Sequence, residues 1–353
     1  MDNELAQAKI KALVAGYDAR WKDAGYEAVA IERVLTSPLW NPATDRMSRS
    51  FTVAGKLDVI ARYEGRLYVI DHKTTSQDIS DPDAAYWRQL VVEGQASHYL
   101  MQMHLAGHKA DGAVWDVIRK PSIAPKKLAK KDVAAIVSFG RYFNQRVDDE
   151  TRRMLSQSEE PRETNDLYRM RLENDCINER PEWYFQRRTY PRLNVELVEY
   201  AEELWGHSQD LLAARRNDRW PRNSGACLLY GTPCRFLGIC SGHDTPDSDR
   251  WQPKQHVHEE LGDEAPPNAL TNSRIRTFQT CRKKHFFEYE AAIERQDEEE
   301  KEALAFGTAL HSALAEWWSA LLPIGDDDGN NGCDGSPVNG VGKRAPALAG
   351  WSA

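Results

Sequence analysis

Two aspartates and a lysine carry the most pointed chemistry in this sequence. Asp58, Asp71 and Lys73 lie in VAGKLDVIARYEGRLYVIDHKTTS, residues 53–76. Two β-rich runs flank Glu64-Gly65, which reads as a two-residue hairpin turn. With that turn Asp58 faces Asp71, with Cβ atoms roughly 4.5–5.5 Å apart. Like charges in that position destabilise a sheet, and a divalent cation between them reverses the cost. Lys73 stands two residues beyond Asp71 and so projects from the same face. A carboxylate pair with an ammonium beside it suits phosphodiester hydrolysis. A hard cation such as Mg²⁺ takes oxygen ligands, keeps several waters and polarises a phosphate. The lysine can hold or deprotonate the attacking water, or offset charge in the transition state.

The competing reading is an exposed hairpin with ordinary surface charges. For D-x-K alone that reading wins. G-K-L-D, a turn, an apolar strand and then D-H-K-T-T favour the site. The pairing depends on register: Glu-Gly is a poorer type I′ pair than Asn-Gly, and a longer loop shifts it.

The elements that must position these groups follow the hydrophobic pattern. Residues 3–23 read as a helix with Leu5, Ile10, Leu13, Val14 and Tyr17 on one stripe. VAIERVLTSPLW (29–40) reads as a strand; its Glu32 is either a further acid near the site or, more ordinarily, a surface carboxylate. The hairpin covers about 50–74, a helix about 84–106, and AVWDVIRKP (113–121) is another strand, stopped by Pro121. A basic loop and a strand-like SFGRYFNQR stretch fill 122–158. Residues 162–175 read as a helix, 183–192 as a short strand, and 193–216 as an amphipathic helix with Leu197, Tyr200, Ala201 and Leu204 at core spacing. Helices follow at about 272–291 and 300–322. The order implies an α/β fold with a mixed central sheet flanked by helices.

Gly55 to Asp58 form G-x-x-D, Asp71 to Lys73 form D-x-K, and Gln95 with Tyr99 in GQASHYLMQMH form Q-x-x-x-Y on one helical face. In these motifs the chain resembles the PD-(D/E)XK nuclease superfamily, most of all RecB-type and AddB-type nuclease domains and stand-alone phage exonucleases. The resemblance implies a restriction-endonuclease-like fold and a Mg²⁺- or Mn²⁺-dependent DNA exonuclease of recombination, repair or phage DNA processing. It makes Asp58 and Asp71 metal ligands, with the His72 carbonyl as a further one. Lys73 positions or activates water, and Gln95 and Tyr99 orient Lys73 or the DNA backbone. The alternative is a non-catalytic DNA-binding or recombination accessory protein that keeps the fold.

Cys227, Cys234 and Cys240 cluster in ACLLYGTPCRFLGIC, and Cys281 lies in TFQTCRKKH. Closely spaced thiols without a secretory signal suggest soft-metal ligation rather than disulfides. Some RecB-like relatives hold a [4Fe–4S] cluster with one remote cysteine in an S-x-S-x-x-x-x-F-x-x-C segment and three C-terminal ones. SRIRTFQTC, Ser273 to Cys281, is similar to that segment. The resemblance therefore assigns Cys227, Cys234, Cys240 and Cys281 to a cluster. The first interval is C-x₆-C where the family has C-x₂-C; zinc and inert buried thiols remain the alternatives.

The order of segments departs from the family. There the S-x-S…C segment and a G-T-x-x-H helix precede the hairpin; here they follow it, at SRIRTFQTC and FGTALHSALAEWW. His311 matches the family histidine that ligates metal. Either residues 268–322 fold back onto a core formed by 1–240, as in a circular permutant, or the chain joins the end of one nuclease unit to the start of another. Residues 241–267, rich in Asp, Pro, His and Glu, read as a linker, and the Gly- and Asp-rich tail over 323–353 as disordered.

The 353 residues are 41% hydrophobic with a net charge of −8. They suffice for one large domain or two small ones. No apolar run is long enough to span a bilayer, which with the missing signal peptide implies a cytoplasmic protein. Net negative charge does not advertise a nucleic-acid binder, but nucleases confine positive charge to one groove. Two basic stretches can bind phosphates: Lys126, Lys127, Lys130 and Lys131 in one, Arg282 and Lys283 in the other. A solvated surface explains each equally well. No G-x-x-x-x-G-K-[ST] loop occurs, so ATP-driven unwinding would fall to a recombination or helicase partner.

Overall fold

A computed structural model describes residues 3–296 and 302–322. The expected disordered tail, with Cys333, lies outside the described residues. Helix α1 (Asn3–Trp21) precedes three long strands, β1 (Tyr26–Asn41), β2 (Arg46–Tyr63) and β3 (Arg66–Thr75). Helices α2 (Ala85–Val91) and α3 (Gly94–Leu105) lead to β4 (Gly112–Arg119). An excursion then leaves the sheet: α4 (Lys130–Phe139), a hairpin of β5 (Arg141–Tyr142) and β6 (Gln145–Arg146), α5 (Asp149–Gln157) and α6 (Asn165–Asn174). The chain returns through α7 (Pro181–Tyr184) to β7 (Phe185–Tyr190) and α8 (Asn194–Arg216). Beyond lie α9 (Leu237–Ser241), β8 (Trp251–Pro253), β9 (Ala269–Leu270), α10 (Asn272–Thr280), α11 (Arg282–His285), β10 (Ile293–Arg295) and α12 (Glu302–Ser319).

The central sheet runs β1-β2-β3-β4-β7, with β9 added parallel to β2. β3 and β4 are parallel, and the other neighbours on this path are antiparallel. This is the mixed, helix-flanked α/β sheet that the element order implies. β4 shows why it forms: GAVWDVIR is buried at every position but the last, as a central strand covered on both faces must be.

Glu64 (φ 50°) and Gly65 (φ 76°) both occupy the left-handed region, which makes the β2–β3 turn type I′. The register runs from Tyr63↔Arg66 to Val59↔Ile70, so Asp58 and Asp71 are the next residues beyond the paired ladder.

α12 lies against the sheet. Leu310, Leu314 and Trp318 are fully buried; the first two pack with Leu13, Tyr17 and Tyr168, and Trp318 packs with Val59, Ile70 and Val114. Each such side chain contributes about 1.5–3 kcal/mol by leaving water.

Three readings of the sequence change. The helix expected over 84–106 is two, because Glu93 is extended (ψ 126°) and α3 restarts at Gly94 beneath the Tyr200 ring. The stretch expected as a basic loop with a strand is mostly helical; only Arg141–Arg146 keep strand geometry, after Gly140 (φ 64°) ends α4. Residues 241–267, expected as a linker, set Trp251 against Phe236 and Phe287, and Leu261 against Ala54.

Candidate active site

The candidate site sits where β2 and β3 fork. Instead of continuing the ladder, the Asp58 carboxylate accepts the His72 backbone N–H at 2.8 Å. Gly55, three residues earlier, lets α3 approach: a Cβ there would lie 2.8 Å from Gln102 Oε1. Side chains alternate beyond the fork. Asp71 and Lys73 face α3, and His72 faces α1 and α12.

On the α3 side Lys73 Nζ lies 2.8 Å from Asp71 Oδ2 and donates to Gln95 Oε1 at 2.6 Å. Gln95 Nε2 donates to Asp71 Oδ1 at 3.0 Å and to the Tyr99 hydroxyl at 2.6 Å. One amide thus fixes the acid, the lysine and the tyrosine. Burial alone would lower the Lys73 pKa, but the Asp71 carboxylate outweighs it and raises the value, so the ammonium stays charged. Burial, and then the nearby Asp71 and Asp58 charges, raise the Tyr99 phenol well above its ordinary value. Burial first, and the facing Asp71 second, lift the Asp58 carboxyl to about 7.

α12 brings His311 to the fork. Its Nδ1 lies 3.6 Å from Asp58 Oδ2, and its ring meets the His72 ring edge-on at 5.8 Å. Burial, reinforced by His72, lowers its pKa to about 4, so the imidazole is neutral with a lone pair free for ligation. Asp58, Asp71, His72, Lys73, Gln95, Tyr99 and His311 all line one cleft of about 600 Å³.

Two further groups belong to this neighbourhood: Glu32, read from the sequence more readily as a surface carboxylate, and Asp116, which sequence reasoning left aside. Glu32 lies between the pairs Ile31↔Val59 and Arg33↔Leu57, hence opposite Asp58. It has φ 51°, ion-pairs with Lys56 and lines the cleft. Behind His72, Asp116 Oδ2 lies 3.2 Å from His72 Nδ1 and 3.1 Å from Arg187 Nη2, and accepts the Tyr17 hydroxyl. Burial alone would raise the Asp116 pKa, but Arg187, His72 and Tyr17 together bring it down to about 2. An acid inside the otherwise apolar AVWDVI run was the available signal, since a buried charge must be paired.

Among the described residues no three His, Cys, Asp or Glu side chains are arranged to hold a metal ion. Mg²⁺ does not require such a cage; one or two carboxylates, waters and substrate phosphate suffice. The two acids at the fork, with a neutral imidazole beside them, fit that requirement.

The four assigned cysteines share a second neighbourhood, but among the described residues no three of them are arranged to hold a metal ion. Asn223 N donates to Cys281 Sγ at 3.4 Å, Cys227 Sγ donates to Asn223 O at 3.7 Å, and Cys234 N donates to Cys227 O at 2.8 Å. Arg222 Nη1 donates to Cys240 O at 2.7 Å. Burial, and next the Cys281 thiol, raise the Cys240 pKa.

The basic stretches are partly engaged within the protein. Lys127 pairs with Glu160 at 2.9 Å, and the Lys126 backbone N–H bonds Glu163. Lys130 and Lys131 are exposed at the start of α4. Arg282 pairs with Asp210 at 2.6 Å, and the Lys283 ammonium sits 4.8 Å from the Phe286 ring centre.

No helix of the described residues is long and apolar enough to cross a membrane. No curated protein and no solved structure matches the chain. A model of the PD-(D/E)XK nuclease superfamily does match it, over residues 2–177 and 269–335, more than half its length. Those two stretches carry the β2–β3 fork, α3 and α12. The chain belongs to the PD-(D/E)XK nuclease superfamily.

Proposed function

We propose that this nuclease is a metal-dependent DNA exonuclease, with Asp58 and Asp71 as the metal ligands and His311 completing the shell. The observation that carries the reading is the fork: two acids meet there, with Lys73 held 2.8 Å from one and His311 3.6 Å from the other. Mg²⁺ or Mn²⁺ bound there would polarise the scissile phosphate and acidify water. The Lys73 ammonium, steadied by Gln95, holds the attacking water or stabilises charge on the phosphate. Tyr99 keeps Gln95 oriented, and its phenol stays protonated. The His72 carbonyl offers a further oxygen.

Exonuclease action on DNA ends, in recombination, repair or phage DNA processing, rests on the resemblance to RecB- and AddB-type domains. Residues 1–240 and 268–322 form one permuted nuclease unit in this reading. Lys126, Lys127, Lys130, Lys131, Arg282 and Lys283 guide the DNA backbone by charge. A separate helicase would supply unwinding, in the cytoplasm.

Cys227, Cys234, Cys240 and Cys281 would hold a [4Fe–4S] cluster, or zinc in its place, and so pin α10 and α11 to the segment after α8. Visible absorbance of anaerobically purified protein, lost in Cys281→Ser, tests the cluster. The nuclease reading is tested with linear and closed circular DNA. Linear DNA should be degraded only with Mg²⁺ or Mn²⁺, and not at all by Asp71→Ala. Equal degradation by that variant would refute it.

A further inference from the structure

The excursion after β4 ends in a knob whose construction is costly. Phe139 closes α4 with 79% of its surface exposed, and Phe143 tops the β5–β6 hairpin with 39% exposed. The same hairpin buries the more polar Tyr142, whose hydroxyl donates to Glu163 at 3.0 Å. Glu163 is itself gripped by Arg171 at 2.6 and 2.8 Å. The hairpin is therefore a firm mount for Phe143, whose ring rests edge-on against Tyr142 at 4.6 Å, and the more exposed Phe139 precedes it at the end of α4.

Three further features weaken the knob as an isolated structure. Phe143 has φ 44°, a left-handed conformation that strains a bulky residue. Arg141 and Arg146 are direct cross-strand partners, a repulsive pair. Lys130 and Lys131 occupy the first turn of α4, at the positive end of the helix dipole. None of these four cations forms an ion pair with a carboxylate among the described residues. Asp148 caps α5 through Thr151, Asp149 pairs with Arg152 at 2.8 Å, and Asp132 shares the first turn of α4 with the two lysines.

A polyanion across the hairpin offsets the Arg141–Arg146 repulsion, and the flat faces of bases cover the rings. We propose that this knob is a stacking platform for single-stranded nucleic acid. Its cations hold the backbone, and Phe139 and Phe143 take unstacked bases. The inference rests on the nuclease reading above and specifies its substrate. The knob follows β4, whose Val117 is the register partner of Lys73, and Lys120 at the strand's end donates to Ala303 O in α12.

The test uses the full chain and three probes: fluorescein-labelled dT20 and a blunt DNA hairpin, both in EDTA, and the p-nitrophenyl ester of thymidine 5′-monophosphate with Mn²⁺. Phe139→Ala/Phe143→Ala should weaken dT20 binding by about tenfold or more. Ester cleavage and melting temperature should stay at parental values. Phe143→Trp should retain dT20 affinity, and Arg141→Glu/Arg146→Glu should flatten its salt dependence. Unchanged dT20 affinity in the double-alanine variant, with the parent still cleaving DNA, overturns the platform and leaves the nuclease reading intact. An equal loss on the blunt hairpin overturns the single-strand assignment. A parent that neither binds dT20 nor cleaves the ester overturns both.

Discussion

His311 Nδ1 lies 3.6 Å from Asp58 Oδ2, although 253 positions separate the two in sequence. The contact depends on α12 being seated by Leu310, Leu314 and Trp318, all fully buried. Helix seating and site assembly are therefore one structural event.

Trp318→Ala should accordingly cost about 3–5 kcal/mol, the usual range for deleting a buried tryptophan. Because Trp318 packs against Val59 and Ile70, the loss should lower a single cooperative melting transition. Two transitions, with only the smaller one shifted, would show that α12 melts independently of the sheet.

Asp58→Asn should remove metal-dependent cleavage and stabilise the metal-free protein. The facing acids repel, and an amide keeps the acceptor for His72 N–H while losing the charge. The gain should be greatest at neutral pH, where the native carboxyl would be charged. Its sign with pH follows from the raised Asp58 value of about 7. The folded state binds the proton more tightly than the unfolded chain, so the native carboxyl costs stability progressively as pH rises toward 7. The variant's advantage should therefore grow from pH 4 to 7 and then level off. Melting curves without metal would expose a contrary trend.

Gln95→Ala should lower kcat about 10–100-fold, the range typical of residues that orient a metal site from outside it. Gln95 holds both Lys73 and Asp71, so removing it leaves the ammonium tethered by Asp71 alone. DNA affinity in EDTA should be unaffected; a large affinity loss with unchanged turnover would assign Gln95 to substrate binding instead.

Acid should unfold this protein through buried histidines. Burial lowers His98 and His258 to about 4 and His285 to about 2. The unfolded chain binds protons near 6.5 that the native state refuses, so stability is full above that pH and falls below it. Each histidine contributes a slope of up to about 1.4 kcal/mol per pH unit. His98 accepts or donates at both nitrogens, to Tyr200 and Ala54 O, so His98→Gln should flatten the slope between pH 6.5 and 4. An unchanged slope would remove His98 from the account.

The sequence made the fork legible because its signals were local. Glu64-Gly65 set the turn, and the turn set which acids meet. Gln95 and Tyr99 followed from helical spacing alone. Asp116 was legible only as an acid in an apolar strand that needs a partner; Arg187 was not, because the pairing spans β4 and β7 and no local pattern joins them. The excursion after β4 misled for a related reason: its two-residue strands alternate like a longer one, while α4 has only one fully buried residue, Ile136, to mark its face. Glu32 looked like a surface acid until the register of β1 on β2 carried it to the cleft.

The order of these parts also has a temporal meaning. As the chain leaves the ribosome, the hairpin with Asp58 and Asp71 emerges well before the helix with His311. Until that helix arrives, the slot for Trp318 is open and Asp58 lacks its imidazole neighbour. A nascent chain thus carries its acids unarmed, and under the reading proposed above DNA would meet a cutting enzyme only after synthesis has passed α12.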